Sequence, residues 1–178
     1  MASSTEPVVA NPGPLGLAGF ALTTMLLSAA NAGLTVGDIW LPYAIFYGGL
    51  AQFAAGMWEF KAKNTFGATA FSTYGAFWMG LAFYVWFWAG KATNVHADLG
   101  WMLLGFSIFT LIMMLNSFKI NNAAVMYVFV ALFITFVLLT LGEFTGMAML
   151  HTLGGWVGLI TALLAWYAAY KGVAASVA

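Results

Sequence analysis

The stretch AAVMYVFVALFITFVLLTL, residues 123–141, runs for nineteen positions without a charge, a glycine or a proline. A helix needs about 20 mostly apolar residues to cross the hydrocarbon core of a bilayer, and this segment has that length. Its apolar side chains fall on both parities, so it does not read as a strand with one face buried. A membrane barrel would show strands of about ten alternating residues instead. Working outward, five more apolar runs occupy residues 15–32, 40–60, 65–88, 99–115 and 147–170. Short separators at 33–38, 61–64, 90–98, 116–122 and 142–146 hold the glycines, asparagines and charges expected of turns. The fold class expected is an all-α membrane protein with six transmembrane helices.

Composition points the same way. The 178 residues are 63% hydrophobic and only 6% charged, with a mean hydropathy of +0.95. A water-facing surface calls for roughly 25–35% Lys, Arg, Glu and Asp, so most of this exterior must face the lipid bilayer. Nucleic acid is excluded as a partner, because the five basic residues are scattered and phosphate neutralisation needs clustered cations. Without cysteine, disulfides and thiolate chemistry are excluded as well.

Charge placement orients the chain. Lys61, Lys63, Lys119 and Lys171 all fall on one side of the predicted bundle and only Lys91 on the other. The positive-inside bias then places both termini in the cytoplasm and the turns bearing Asp38, His96, Asp98 and Glu143 outside. Residues 1–10 lack a basic region, and the first apolar run is long enough to span, so an uncleaved first helix is expected. The implied organisation is a flexible N-terminus over 1–10, a transmembrane domain over 11–172 and a short tail over 173–178.

Polar groups recur inside the predicted spans: Thr23, Thr24 and Ser28, then Gln52, then Thr69, Ser72, Thr73 and Tyr74, then Thr110 and Thr135. Ser and Thr can bond the carbonyl one turn back. The Gln52 amide and the cluster Ser72, Thr73, Tyr74 need partners or water, because an unpaired polar group in hydrocarbon costs several kcal/mol. They mark either a polar file through the bundle or adhesion between helices. The charged groups, Glu59 included, fall at predicted helix ends, and no charge sits at mid-membrane. His96 and His151 lie toward the outer side without ligand spacing, so no metal, haem or other cofactor is expected. Glu143 and His151 are the candidates for a response to pH. No nucleophile–base pair or phosphate loop is present, so the chain does not read as an enzyme.

The first helix opens with NPGPLGL, residues 11–17. Asn11 suits the N-cap and Pro12 the first helical position, where the missing N–H is no loss. The free N–H groups and positive dipole end there can attract a carboxylate. Gly154 and Gly158 have GxxxG spacing and predict close helix contact. Trp40, Trp58, Trp86, Trp88, Trp101, Trp166 and Tyr170 suit interfacial belts. Gly-Phe-x-x-x-Thr occurs at Phe20/Thr24 and again at Phe106/Thr110, and Glu-Phe at Glu59 and Glu143. Three-helix repeats related in this way would be inverted.

These residues together resemble the acetate uptake transporter family, to which bacterial succinate-acetate permeases belong. The likeness rests on NPGPLGL with Gly19-Phe20 and Thr23-Thr24, on FYGGLAQ at 46–52, on NTFGATAFSTYGAFW at 64–78 and on GWVG at 155–158. It implies a homo-hexamer with a pore in each protomer, carrying acetate and, in some members, succinate. It also implies a constriction at Phe20, Tyr74 and a helix-five leucine, which is Leu132 counted back from Gly142, with Leu138 and Leu139 as alternatives. Asn11, Thr23, Thr24, Gln52, Ser72 and Thr73 are then the candidate substrate contacts. An apolar ring strips water from an ion yet accepts a methyl group, and the Tyr74 hydroxyl can bond a passing carboxylate. Glu143 departs from expectation, since an acid at an anion's point of access repels the anion or titrates. The competing readings are a channel for urea or another neutral solute, and a non-conducting sensor or assembly subunit.

Overall fold

The computed structural model describes residues 9–177; residues 1–8, most of the segment expected as a flexible N-terminus, and Ala178 lie outside the described residues. Among the described residues there is no strand, and the chain is an all-α membrane protein. Its α-helices are α1 (Gly13–Asn31), α2 (Trp40–Ile45), α3 (Gln52–Lys61), α4 (Thr65–Phe83), α5 (Val95–Ser117), α6 (Ala123–Thr145) and α7 (Ala148–Val177). Of these, α1, α5, α6 and α7 are each long and apolar enough to cross a membrane. The run 40–60 is divided: a π-helical segment, Phe46–Ala51, joins α2 to α3. A second π segment, Tyr84–Trp88, and a single 3-10 turn, Ala89–Lys91, continue the chain beyond α4.

Asparagines set three of the helix starts. Asn64, Asn94 and Asn122 each accept a hydrogen bond on Oδ1 from the backbone N–H three residues on, at Gly67, Ala97 and Val125. Each cap satisfies one of the donors that a helix start leaves free. The Asn94 cap starts α5 at Val95, ahead of the apolar run, so His96 and Asp98 ride on its first turn and not in a loop. At the other end of α6 the helix continues through Glu143 to Thr145, and Gly146 stops it with φ +69°. That left-handed backbone suits glycine, and it makes the turn into α7 very short. Helix α7 runs on to Val177, through the segment expected as a tail.

Packing brings the first and last helices together: α1 lies against α7, α6 against both α5 and α7, and α3 against α4. Two glycines of α7 permit the first of these contacts. A Cβ on Gly155 would strike the backbone of Ser28 and Ala32, and one on Gly158 would strike the Ser28 side chain. Gly154 faces Leu139 of α6 instead, so the close approach to α1 falls on Gly155 and Gly158, a spacing of three. Without a hydrophobic drive between helices in lipid, such backbone contact is what holds a bundle together.

The outer surface is apolar, with Phe46, Trp58, Trp86, Trp101, Ile108, Leu163 and Tyr170 all exposed. Trp40 departs from the interfacial role expected of it: it is 6% exposed and packs in the core. The inside is aromatic, with Phe77 edge-on to Phe106 and Phe136 at ring-centroid distances of 4.6 and 5.3 Å.

Gly155→Ala is expected to destabilise the bundle by about 1–3 kcal/mol through overpacking against α1. Gly105→Ala, where nothing lies within 4 Å of an added Cβ, should be neutral or slightly stabilising through helix propensity. Thermal unfolding of the two variants in detergent checks the contrast; equal midpoints would remove the α1–α7 backbone contact from the account.

Candidate functional site

Two internal cavities lie along the bundle. The larger, about 720 Å³, is bordered by Asn11, Gly13, Gln52, Glu59, Asn64, Tyr74 and Lys171, toward the end of the bundle that carries Lys61, Lys63 and Lys119. The smaller, about 150 Å³, is bordered by Thr24, Ser28, Trp40, Trp78, Leu139, Glu143 and His151, toward the opposite end. Phe20 and Leu132 border both, so these two side chains form the partition between them. Tyr74 borders the larger cavity, with its ring 5.9 Å from that of Phe20. All three are buried, at 5%, 4% and 2% exposed for Phe20, Leu132 and Tyr74. The Tyr74 ring is wedged among Phe109, Phe129 and Phe136. Its hydroxyl lies 2.8 Å from Thr110 Oγ1, and either oxygen can donate. When Thr110 donates, the phenolic proton is left free for another acceptor.

The sequence candidates divide by position. Asn11, Gln52 and Tyr74 border the larger cavity, and Thr24 borders the smaller. Asn11 Oδ1 accepts from the Gly13 N–H at 2.9 Å, but the N-cap position falls on Pro12 and not on Asn11, and regular helix begins at Gly13 and not at Pro12. Thr23 borders neither cavity. Its hydroxyl donates 3.0 Å to the Gly19 carbonyl, lies 3.3 Å from that of Tyr43, and sits where a Cβ on Gly48 would collide with it. Ser72 also lies away from both cavities, pressed against Gly56 of α3, and Thr73 borders neither.

Buried side-chain atoms without a protein partner are Thr24 Oγ1, Gln52 Oε1, Ser72 Oγ and Trp78 Nε1. Three of these four belong to residues bordering a cavity. Because nearly all buried polar groups in proteins are bonded, orphans beside a cavity are groups left able to bond whatever enters it. Gln52 owes its position to the π segment that precedes it. A wide turn shifts the helix by one residue, about 100° of rotation, and Gln52 is the first residue after it, 1% exposed.

Each end carries a glutamate. Glu143 is held between two histidines that sequence spacing did not pair with it. Its Oε2 lies 2.7 Å from His96 Nδ1, and its Oε1 lies 3.8 Å from His151 Nε2. Glu59 lies near the end of α3, at the helix end expected of it, and there it is 2% exposed and borders the larger cavity. The Asn64 side chain does two things there: its Nδ2 donates to Glu59 Oε2 at 2.8 Å, while its Oδ1 caps α4. An Asn five residues after a Glu, across a tight turn, was the signal available in the sequence.

Known proteins place this geometry in context. The profile of the GPR1/FUN34/yaaH family matches residues 1–178. The Escherichia coli (strain K12) succinate-acetate/proton symporter SatP is 42% identical over 164 residues, covering 90% of this chain and 87% of that one. The Saccharomyces cerevisiae ammonia transport outward protein 2 is 41% identical over 175 residues, covering 93% of this chain; this chain spans 62% of that protein, less than two thirds of its length. The solved structure of the bacterial acetate channel SatP superposes with a TM-score of 0.88 at 40% identity, over 93% of each chain. A profile match along the whole length and relatives of this similarity establish that the chain belongs to the GPR1/FUN34/yaaH family.

Proposed function

We propose that this protein passes acetate, and other small carboxylates such as succinate, across the cell membrane through a conduit formed by the two cavities. The observation that carries this reading is that Phe20 and Leu132 border both cavities, leaving an apolar partition between two largely apolar chambers that each hold a few polar groups. Phe20, Tyr74 and Leu132 act as the constriction. Asn11, Gln52 and Thr24 are the contacts that replace water around the carboxylate on either side of it. Relatives named for acetate and succinate support the substrate class, and none of the relatives named above is described as an enzyme. Nothing in the conduit favours urea, and the orphaned donors and acceptors speak against a purely adhesive role for the polar residues.

The span count proposed is six. Residues 40–61 and 65–91 each form one spanning rod, with the π segments included, and residues 11–172 make one transmembrane domain with both termini in the cytoplasm. Helices of the first and second halves are related as inverted repeats, which puts Glu59 and Glu143 at opposite mouths. The protomers assemble as a homo-hexamer with a conduit in each, in keeping with the family resemblance. At the outer mouth, Glu143 with His151 and His96 responds to pH. The Glu143 carboxylate there bears on an arriving anion by repelling it.

The test is flux in proteoliposomes. Leu132→Ala or Phe20→Ala should raise uptake of a four-carbon acid relative to acetate by about tenfold or more, since one methylene in an apolar pocket is worth roughly 1–3 kcal/mol. Unchanged selectivity in folded variants would remove the constriction. Competition of labelled acetate by urea or ammonium should be absent, and competition by either would reassign the substrate.

Tyr74→Phe should lower acetate flux severalfold while costing about 1 kcal/mol of stability through the lost Thr110 bond. Full activity would take the hydroxyl out of the mechanism. Glu143→Gln should lower the acetate KM at neutral pH with little change in the maximal rate, because a rim charge acts on encounter. A KM that stays put would leave the outer mouth without an electrostatic role.

A further inference from the structure

Glu59 is the one carboxylate bordering the larger cavity, and its surroundings are unlike those of a surface acid. Oε2 accepts from Asn64 Nδ2 at 2.8 Å, and no protein donor is bonded to Oε1 among the described residues. Oε1 points to the start of α1: a Cβ on Gly13 would lie 3.4 Å from it and 3.0 Å from Asn11 Oδ1. Room for the carboxyl comes from Gly67, where a Cβ would lie 2.8 Å from Glu59 Cδ. The charges nearby do not neutralise it. The ion pairs formed among the described residues all involve Glu143. From α7, Lys171 borders the same cavity, and its Nζ lies 5.9 Å from the centre of the Tyr167 ring. From α1 the neighbours are Asn11 and Gly13, from α4 Gly67 and Tyr74, and from the 118–122 turn Asn121 and Asn122, none of them cationic. Lys61 at the end of α3, Lys63 on the turn after it and Lys119 on the 118–122 turn are exposed.

A carboxylate ion entering this chamber at the α1 start, where the helix dipole favours it, therefore meets a second carboxylate bordering the same chamber. Two like charges in one partly enclosed chamber repel each other. Protonation of Glu59 removes the repulsion and supplies a donor. We propose that Glu59 is the proton-binding group of this conduit, taking up one proton at Oε1 when a carboxylate occupies the chamber beside it and then donating a hydrogen bond to that anion. The proton comes from water at the lysine-rich mouth and is returned to water when the anion leaves. No other bond is made or broken, and the Asn64 amide holds the carboxyl in place in both states. This inference rests on acetate passage as the function.

The experiment combines labelled-acetate exchange at saturating acetate, between about pH 5 and pH 8, with infrared pH-difference spectra of the protein saturated with isotope-labelled acetate, whose own bands are shifted clear of the protein's. Protein-free liposomes supply the background of passive acetic acid permeation. Wild-type exchange should fall as pH rises, by up to roughly tenfold per pH unit for a one-proton step. Glu59→Gln should flatten that profile and abolish one titrating carboxylic-acid C=O band. Glu59→Asp should keep both, displaced along the pH axis. A Glu59→Gln variant with the wild-type slope would overturn the proposal, because the proton would then travel on the substrate or on another group. A C=O titration unaltered in Glu59→Gln would overturn it too. Should Glu59→Gln not fold, Glu59→Asp decides: a slope and band identical to wild type would equally overturn it. Wild-type protein that moves no acetate would defeat the transport reading, while the infrared spectra would still decide whether Glu59 titrates.

Discussion

In hydrocarbon no water is available to satisfy a polar group, so the polar groups of a bundle are driven to bond one another or to border a cavity. Much of this architecture follows from that constraint. Backbone groups are consumed by helices. Thr135, Thr140, Thr161 and Ser107 turn their hydroxyls back onto carbonyls of their own helices. Ser107 also meets Thr140, and Thr135 meets Thr161, tying α5 to α6 and α6 to α7. Most of the groups left over belong to residues that border the two cavities. In a chain without arginine, the proposed passage of an anion would draw on helix dipoles, amides and hydroxyls, with Lys171 at the border of the larger cavity.

The same economy explains the rings beside the partition. Tyr74 lies 5.4–6.4 Å in centroid distance from Phe20, Phe109, Phe129 and Phe136. Rings packed edge-on, tilted or stacked need no partners for polar atoms. The one polar handle among them, the Tyr74 hydroxyl, is held by Thr110, whose side chain is wholly buried. Thr110 belongs to the second Gly-Phe-x-x-x-Thr, so a residue noted for its repetition in the sequence is the one that orients the tyrosine.

Hydropathy made the helical membrane fold legible, because runs such as 123–141 have no other stable home. Positions close to distinctive local motifs, namely Asn11, Phe20, Gln52 and Tyr74, could be placed near a common path. Long-range juxtaposition could not be read. Glu143 and His96 are 47 residues apart and meet only because α5 starts early at Asn94 and α6 ends late at Gly146. Burial was not legible wherever amphipathic character is ambiguous: Trp40 has the composition of a belt residue and sits in the core, and Glu59 has that of a helix-end charge and is enclosed. Thr23 and Ser72 fall in family-like blocks, yet they serve contacts between helices at Gly48 and Gly56. A one-residue shift at the π segment decides which side chain of 46–52 borders the chamber, and periodicity alone carries no trace of that shift.

The pairing of α1 with α7 has a consequence for biosynthesis. The surface of α1 that carries Ser28 and Ala32 is shaped to receive Gly155 and Gly158, which leave the ribosome only after more than a hundred further residues have been made. Until then the first helix has lost its principal neighbour, and α6, which also leans on α7, is unsupported on that flank. Closure of the protomer therefore waits for the last helix, and a chain truncated before residue 155 would hold its first helix in lipid with a bare, small-residue groove open to the wrong companions.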